Sequence, residues 1–548
     1  MNCECTWPMA IDKVRDSSFG KFTRRHGRLG LLVAGTLLAI TVVVLLSVAT
    51  RVTPHVRDEA VDALNSRFRS EVDLASLQVS VFPRPEVSGD GLSLRHNGRT
   101  DVPPLIKIGA FSATAGLFGL IGSPLHLRTV ELDRMEISIP PGGLRGGAAP
   151  ADAAPDHSGS EANSSRELSG RPRLVIDEIV SRQARLEIVP RDPAKSPRVF
   201  EIHDLIMRGL GDGDGAAFEA ALTNPKPHGR ITTRGTFGPW RSDDPRTTPV
   251  KGEYLFKDAN LDTIKGIAGV LSSTGSYSGV LERIEVKGDT DTPNFAIDLA
   301  AQPVSLKTRF HAVVDGTNGN TFLERVEARL LETVILAHGA VERTRDVKGR
   351  KVTLDVAIED GRIEDVLKLA VKSDKALMTG RMHLKTKFLL PAGDEDVIDK
   401  LALDGSFRLD EARFVNINVQ QRINMLSQRG QGELHDEGPS VVSKLSGRFV
   451  LRNGVLSFSE LTFAVPGAIV QLTGTFDLKG DALDFGGNLL LDANLAETTT
   501  GLKALLARVA QPFFRRPGGG SKLPIRISGP RAKPEFGLDV KRAVTPGD

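Results

Sequence analysis

The sequence predicts a mainly β chain: a single N-terminal transmembrane helix, then an antiparallel β body with a few short helices. Three observations carry this. From Leu29 to Thr50 there are 22 residues without a charge, long enough to cross a bilayer as a helix. Beyond residue 70, apolar and polar residues alternate with period two in run after run, the mark of half-buried strands. Glycine, at 55 of 548 residues, suits many tight turns better than long helices.

The apolar segment comes first. Lys13, Arg15, Lys21, Arg24, Arg25 and Arg28 precede it, against Glu4, Asp12 and Asp16, and the charges balance after it. The positive-inside rule puts residues 1–28 in the cytoplasm, the helix at 29–50 and the bulk across the membrane. A cleaved signal peptide is the alternative, with Ser47-Val48-Ala49 as its cleavage site. Signal h-regions run about 7–15 residues, so a retained anchor is expected. Residues 55–69 follow as a short amphipathic helix, with Val56, Ala60, Leu64 and Phe68 on one face.

Strands then begin: Val79–Phe82, Leu92–Leu94, Leu105–Ala113, Leu125–Leu132 and Arg134–Ile139, closed by Pro140-Pro141. Residues 51–141 therefore form an N-terminal α+β region. Residues 142–171 are Gly, Ala, Pro and Ser with almost no large apolar side chain. Such a stretch buries too little to offset its ordering entropy and reads as a flexible linker. Its Asn163-Ser164-Ser165 sequon is taken as chance. A central β region spans 172–390 and a C-terminal β region 391–548. Asp315-Gly316-Thr317-Asn318-Gly319, Glu359-Asp360-Gly361 and Arg452-Asn453-Gly454 mark strand ends in these regions. Helices are expected at Arg362–Val371, Ile417–Leu426 and Thr500–Phe514.

Composition excludes several functions. Lys and Arg number 71 against 68 Asp and Glu, so neither a polybasic nucleic-acid binder nor an acidic tail is the main business of the chain. Cys3 and Cys5 are the only cysteines, so the body holds no disulfide, thiolate metal site or catalytic cysteine. The eleven His are scattered, without HExxH. No GxSxG, Walker A or GxGxxG motif occurs. Gly211-Asp212-Gly213-Asp214-Gly215 lacks EF-hand spacing and reads as a turn. No enzyme, cofactor, metal or nucleic-acid partner is expected.

Each strand has one apolar face, and that face must be covered. The helices are too few to do it. The cover is a second sheet, giving a sandwich, or a non-protein apolar ligand. Val, Leu, Ile, Met and Phe offer dispersion contacts without hydrogen bonds, which suits acyl chains.

Particular residues resemble a known family. Leu64, Phe68-Arg69-Ser70-Glu71-Val72, Val79-Ser80-Val81-Phe82-Pro83-Arg84-Pro85-Glu86-Val87-Ser88-Gly89 and Pro103-Pro104-Leu105-Ile106-Lys107-Ile108 resemble the N-terminal region of AsmA-family proteins. Phe463-Ala464-Val465-Pro466-Gly467-Ala468, Leu472–Leu478, Thr499-Thr500-Gly501-Leu502-Lys503, Leu523-Pro524-Ile525-Arg526-Ile527-Ser528-Gly529 and Lys533–Asp539 resemble its C-terminal region. The resemblance implies an inner-membrane protein of diderm bacteria whose periplasmic body is an elongated, curved antiparallel β-sheet, groove-like as in TamB and YhdP. It implies a part in phospholipid transport and outer-membrane biogenesis. Membrane phospholipids and outer-membrane or periplasmic assembly proteins are the implied partners. The linker has no counterpart in that pattern. About twenty strands in one sheet would span roughly 90–100 Å.

The groove candidates are then Leu306, Phe310 and Val314; Val352, Leu354, Val356 and Ile358; Met382, Leu384 and Phe388; and Val470, Leu472, Phe476 and Leu478. The terminal helix, with Leu502, Leu505, Leu506, Val509 and Phe513 on one face, is amphipathic. Phe513, Phe514, Arg515 and Arg516 are membrane-surface candidates, because ten basic residues face three acidic ones from residue 501 onward. A rival reading is an assembly factor that targets or assembles outer-membrane proteins through sheet edges and carries no lipid.

Overall fold

The computed structural model describes most of residues 70–139 and 174–539. The expected anchor at 29–50, the linker at 142–171, the terminal helix and Phe513, Phe514, Arg515 and Arg516 lie outside the described residues. Of residues 55–69, Asp58 and Val61 are described, both helical. No helix among the described residues is long and apolar enough to cross a membrane.

The body is mainly β, one large antiparallel sheet with few helices. Its strands are β1 (Ser70–Ser80), β2 (Glu86–His96), β3 (Ile106–Ala115), β4 (Leu125–Ile139), β5 (Leu174–Ile188), β6 (Arg198–Leu210), β7 (Ala216–Pro225) and β8 (His228–Phe237). Then come β9 (Pro249–Asn260), β10 (Ile267–Ala268), β11 (Val270–Val280), β12 (Arg283–Ile297), β13 (Val304–Val314), β14 (Thr321–Leu330), β15 (Thr333–Arg343) and β16 (Arg350–Arg362). The last are β17 (Met378–Leu390), β18 (Ala402–Phe414), β19 (Ser443–Arg452), β20 (Val455–Val465), β21 (Ala468–Asp477), β22 (Ala482–Leu491), β23 (Ser521–Pro530) and β24 (Glu535–Leu538). Each pairs with its sequence neighbour, except that β9 pairs with β11 while β10 flanks the end of β12. At about 4.8 Å per strand the ladder measures roughly 105 Å along its hydrogen bonds.

One step departs from the antiparallel expectation: β4 and β5 run parallel, Leu125 opposite Leu174 and Ile139 opposite Ile188. Parallel neighbours need a return crossover. Ile139 and Leu174 therefore stand at opposite ends of the pair, and the sheet continues from β4 to β5 without a break.

Two expected strand ends are interior. Leu125–Leu132 and Arg134–Ile139 are a single strand, β4, whose alternation shifts phase at Arg134 (φ 52°). Gly91 (φ 66°) and Gln183 (φ 60°) stand at the same level of β2 and β5. The shift is shared, so core residues step by three there: Leu74 and Leu77, Ile108 and Phe111, Leu132 and Met135. The register is the same on either side, so these left-handed residues kink the strands together at one level. Likewise β16 runs through Glu359-Asp360-Gly361, with a register shift between Ile358 and Gly361.

The other turn readings match the loops. Asn453 (φ 53°) and Gly454 (φ 77°) turn the β19–β20 hairpin with two left-handed residues, and Asp315 organises the β13–β14 loop by accepting from Thr317 N at 2.9 Å.

Helices α1 (Ile363–Ala370), α2 (Val397–Lys400) and α3 (Ile417–Gln431) are short. α3 runs past the expected Leu426. Its polar last turn is held by the β20–β21 hairpin, where Ser427 Oγ donates to Pro466 O at 2.7 Å. Gly432 (φ 84°) then ends it.

The core is local. One cluster joins Val79, Val87, Ala113, Val130 and Ile176 of β1–β5. A second sets α1 on Ile358, Met382 and Leu409, and a third sets Ile423 of α3 on Val465, Ala468, Leu491 and Leu523. Each cluster is built from strands adjacent in the ladder with at most one helix. Among the described residues there is no second sheet, and the sandwich alternative is not the arrangement found.

Candidate functional site

The registers place the expected apolar rows on one face. Phe310 lies opposite Val326, Val326 opposite Ala337, and Ala337 opposite Val356. Val356 lies opposite Thr386, between Leu384 and Phe388. The row runs on through Leu384–Phe407, Leu409–Leu445, Phe463–Val470 and Leu461–Leu472, and Phe476 meets Leu456 and Leu483. Leu306, Val314, Val352 and Leu354 share this face by their spacing along β13 and β16. Leu478 lies just beyond β21 and is exposed.

Ile358 and Met382 are buried at 3% and 6% exposure, because α1 covers them. From Leu306 to Phe476, the other expected residues are only half-buried. A wide stretch of apolar face therefore has neighbours in its own plane but, among the described residues, no protein layer above it.

The opposite face is charged, and its charges pair across strands. Arg309 Nε meets Asp289 at 3.0 Å, Arg381 meets Asp360 at 3.0 Å, and Arg526 meets Asp484 at 3.0 Å. The hydrogen bond from Arg381 holds the Asp360 carboxyl below its ordinary value. An open depression of about 470 Å³ lies on this face over β11–β14, lined by Asp289, Asp291, Lys307 and Arg309 among others. Lys307 and Arg309 are paired with those aspartates, so most of the charge lining the depression is spent within the sheet. No group of three or more possible metal ligands exists among the described residues.

Strand ends far apart in the ladder meet. Lys265, between β9 and β11, donates to Asp394 O at 3.2 Å and pairs with Asp396 at 2.7 Å. Those aspartates stand between β17 and β18, seven ladder steps on, or about 34 Å along the sheet. They also lie at the opposite end of the strands. Neighbouring strands rotate by roughly 20–25°, so seven steps amount to about half a turn, which exchanges the ends. Lys348 pairs with Asp394 at 3.0 Å, and Lys479 pairs with Asp399. The Lys265 hydrogen bond holds Asp396 below its ordinary value. A second such approach brings Arg198, at the start of β6, near Arg350, at the start of β16. Burial pushes the Arg350 guanidinium below its usual range, and the charges of Arg198 and Arg343 add to that. Meanwhile α1, seated on the apolar face of β16–β18, also approaches β12.

Sequence reading missed a polar band across the same face. Tyr254 and Tyr277, the chain's two tyrosines, stand there with Thr233, Ser273, Thr290 and Thr308. The rarity of tyrosine was the signal available. Set against protein-family models, curated proteins and solved structures, the chain matches none of them.

Proposed function

We propose that this chain is an inner-membrane-anchored, periplasmic carrier that receives acyl chains on its apolar sheet face and assists phospholipid transport to the outer membrane and its biogenesis. The observation that carries the reading is the apolar face from β13 to β22, which no described residue covers outside the seats of α1 and α3. Lying against it spares an acyl chain about 0.8 kcal/mol per CH₂ of exposure to water. Three features support a curved groove with this face inside. They are the shared left-handed kink of β2, β4 and β5, the meeting of opposite strand ends seven steps apart, and the reach of α1 from β17 to β12. The AsmA resemblance and the uncharged 29–50 segment support the membrane setting.

Photo-crosslinking from single positions tests this in the membrane-bound protein. A photoreactive residue at Leu354 is expected to trap phospholipid, and one at Thr353, on the opposite face, is not. Equal trapping from both positions contradicts the reading.

A second reading has one observation of its own. β24 pairs with β23 alone among the described residues, and its Phe536 and Leu538 are 74% and 54% exposed. An open edge of this kind suits an assembly factor that adds a strand from an outer-membrane protein. That reading expects protein adducts from Phe536 and no lipid adducts from Leu354.

A further inference from the structure

The apolar face is interrupted where it crosses β8–β13, and the interruption is built of hydroxyls without charge. Thr233 stands opposite Tyr254, Ser273 opposite Thr290, and Thr290 opposite Thr308. By contrast, the face from β16 to β22 is almost wholly Leu, Ile, Val and Phe with intervening glycines. Every Lys, Arg, Asp and Glu of the regular part of β8–β13 points to the other face.

The hydrogen bonds fix what the band can offer. Thr233 Oγ1 donates to Glu253 O at 2.8 Å, so the Tyr277 hydroxyl, 2.7 Å away, donates to Thr233. Ser273 Oγ donates to Asp289 O at 3.1 Å, so the Tyr254 hydroxyl, at 3.1 Å, donates to Ser273. Both phenol protons are spent within the protein. Each phenol oxygen keeps a lone pair that can only accept. Burial pushes both phenols above their ordinary value, which keeps them neutral. Among the described residues, Thr290 and Thr308 make no side-chain hydrogen bond, and they bring hydroxyls that donate or accept. Tyr254 lies low: a Cβ on Gly275 would meet its ring at 2.7 Å, and one on Gly288 its hydroxyl at 2.6 Å. The rings therefore lie down on the sheet, leaving room above them.

A group that both donates and accepts, and carries no charge, fits such a place. We propose that β8–β13 form a subsite for a hydroxyl borne on an acyl chain, so that the face selects hydroxylated chains over plain ones. This rests on the acyl-carrying reading above and sharpens it. A charged head group does not fit, since no countercharge among the described residues faces it, and an ester carbonyl leaves both phenol lone pairs unused.

The test uses the full chain in nanodiscs carrying a fluorescent acyl probe. Methyl hexadecanoate and its 3-hydroxy and 10-hydroxy derivatives compete for the site. One hydrogen bond gained is worth about 1 kcal/mol, or about fivefold. At least one hydroxylated ester is expected to displace the probe about fivefold better than the plain one. In the Tyr254→Phe/Tyr277→Phe variant that preference is lost while displacement by the plain ester is unchanged. Equal displacement by all three esters, or a preference that survives in the variant, overturns the subsite and leaves the carrier reading standing. Failure of every ester to displace the probe overturns both.

Discussion

Met382 and Phe388 share one strand and one face, yet they answer different questions. Met382 is buried beneath α1 against Ile358 and Leu409. Met382→Asp forces an unpaired polar group into that cluster, and the fold should lose about 4 kcal/mol, read as a large drop in melting temperature. Phe388 is half-buried on the open face. Phe388→Asp and Leu354→Asp should keep the melting temperature within a few degrees and lose lipid. Glycines on this face have a role of their own. A Cβ on Gly447 would meet Phe407 at 3.0 Å and Glu460 O at 2.8 Å. Gly447→Val should lift the Phe407 ring and cost about 1–3 kcal/mol, measured by chemical denaturation. The alternation of apolar residues was legible in the sequence because period two assigns faces directly. Tyr254 and Tyr277 were not, because their meaning depends on partners roughly twenty to forty residues away.

At the scale of elements, the legible parts were those with a local cause. Helix α1 carries Ile363, Val366 and Leu367 at helical spacing, and its boundaries lie one residue inside the expected ones. Its first turn is fastened by long-range bonds that no pattern reveals: Asp365 accepts from Thr333 Oγ1 at 2.9 Å and from Glu332 N at 3.2 Å. The end of α3 was hidden for a similar reason, since Ser427 and Gly430 belong to the helix only because the β20–β21 hairpin receives them. Strand β4 read as two pieces because its left-handed Arg134 shifts the apolar phase, and one sequence cannot tell a shared kink from a turn.

The contact between the Lys265 and Asp394–Asp399 connections belongs to this scale too. Lys265→Glu should open it, raising hydrogen exchange in residues 264–268 and 394–399 together. Asp396 has a depressed pKa, so its contribution is complete above the ordinary carboxylate value of 3.8 and is lost only as pH falls through its lower folded value. Exchange protection attributable to this pair should therefore be flat from pH 5 to pH 8. A rise within that range would contradict the assignment.

The whole molecule is a ladder in which almost every strand meets its sequence neighbour, so the order of elements nearly dictates the topology. The exception is the parallel step from β4 to β5, where Ile139 and Leu174 stand about 48 Å apart along the strands. Removing residues 145–170 leaves about eight residues, a reach of at most about 28 Å. That deletion should abolish the β4–β5 pairing and sharply lower the melting temperature, whereas a Gly/Ser replacement of equal length should leave it unchanged. The half-turn that brings opposite strand ends together was beyond the sequence, because twist accumulates a little at every strand and no single residue encodes it.

The central claim is that the uncovered face holds lipid. It is tested most directly by counting phospholipids that remain with the full chain after mild extraction, by mass spectrometry, beside the Leu354→Asp/Phe388→Asp variant prepared in the same way. Lipid bound around the proposed membrane segment is common to both proteins and cancels. Phospholipid in stoichiometric excess is expected on the unaltered chain, and equal amounts on the two folded proteins would contradict lipid binding at this face.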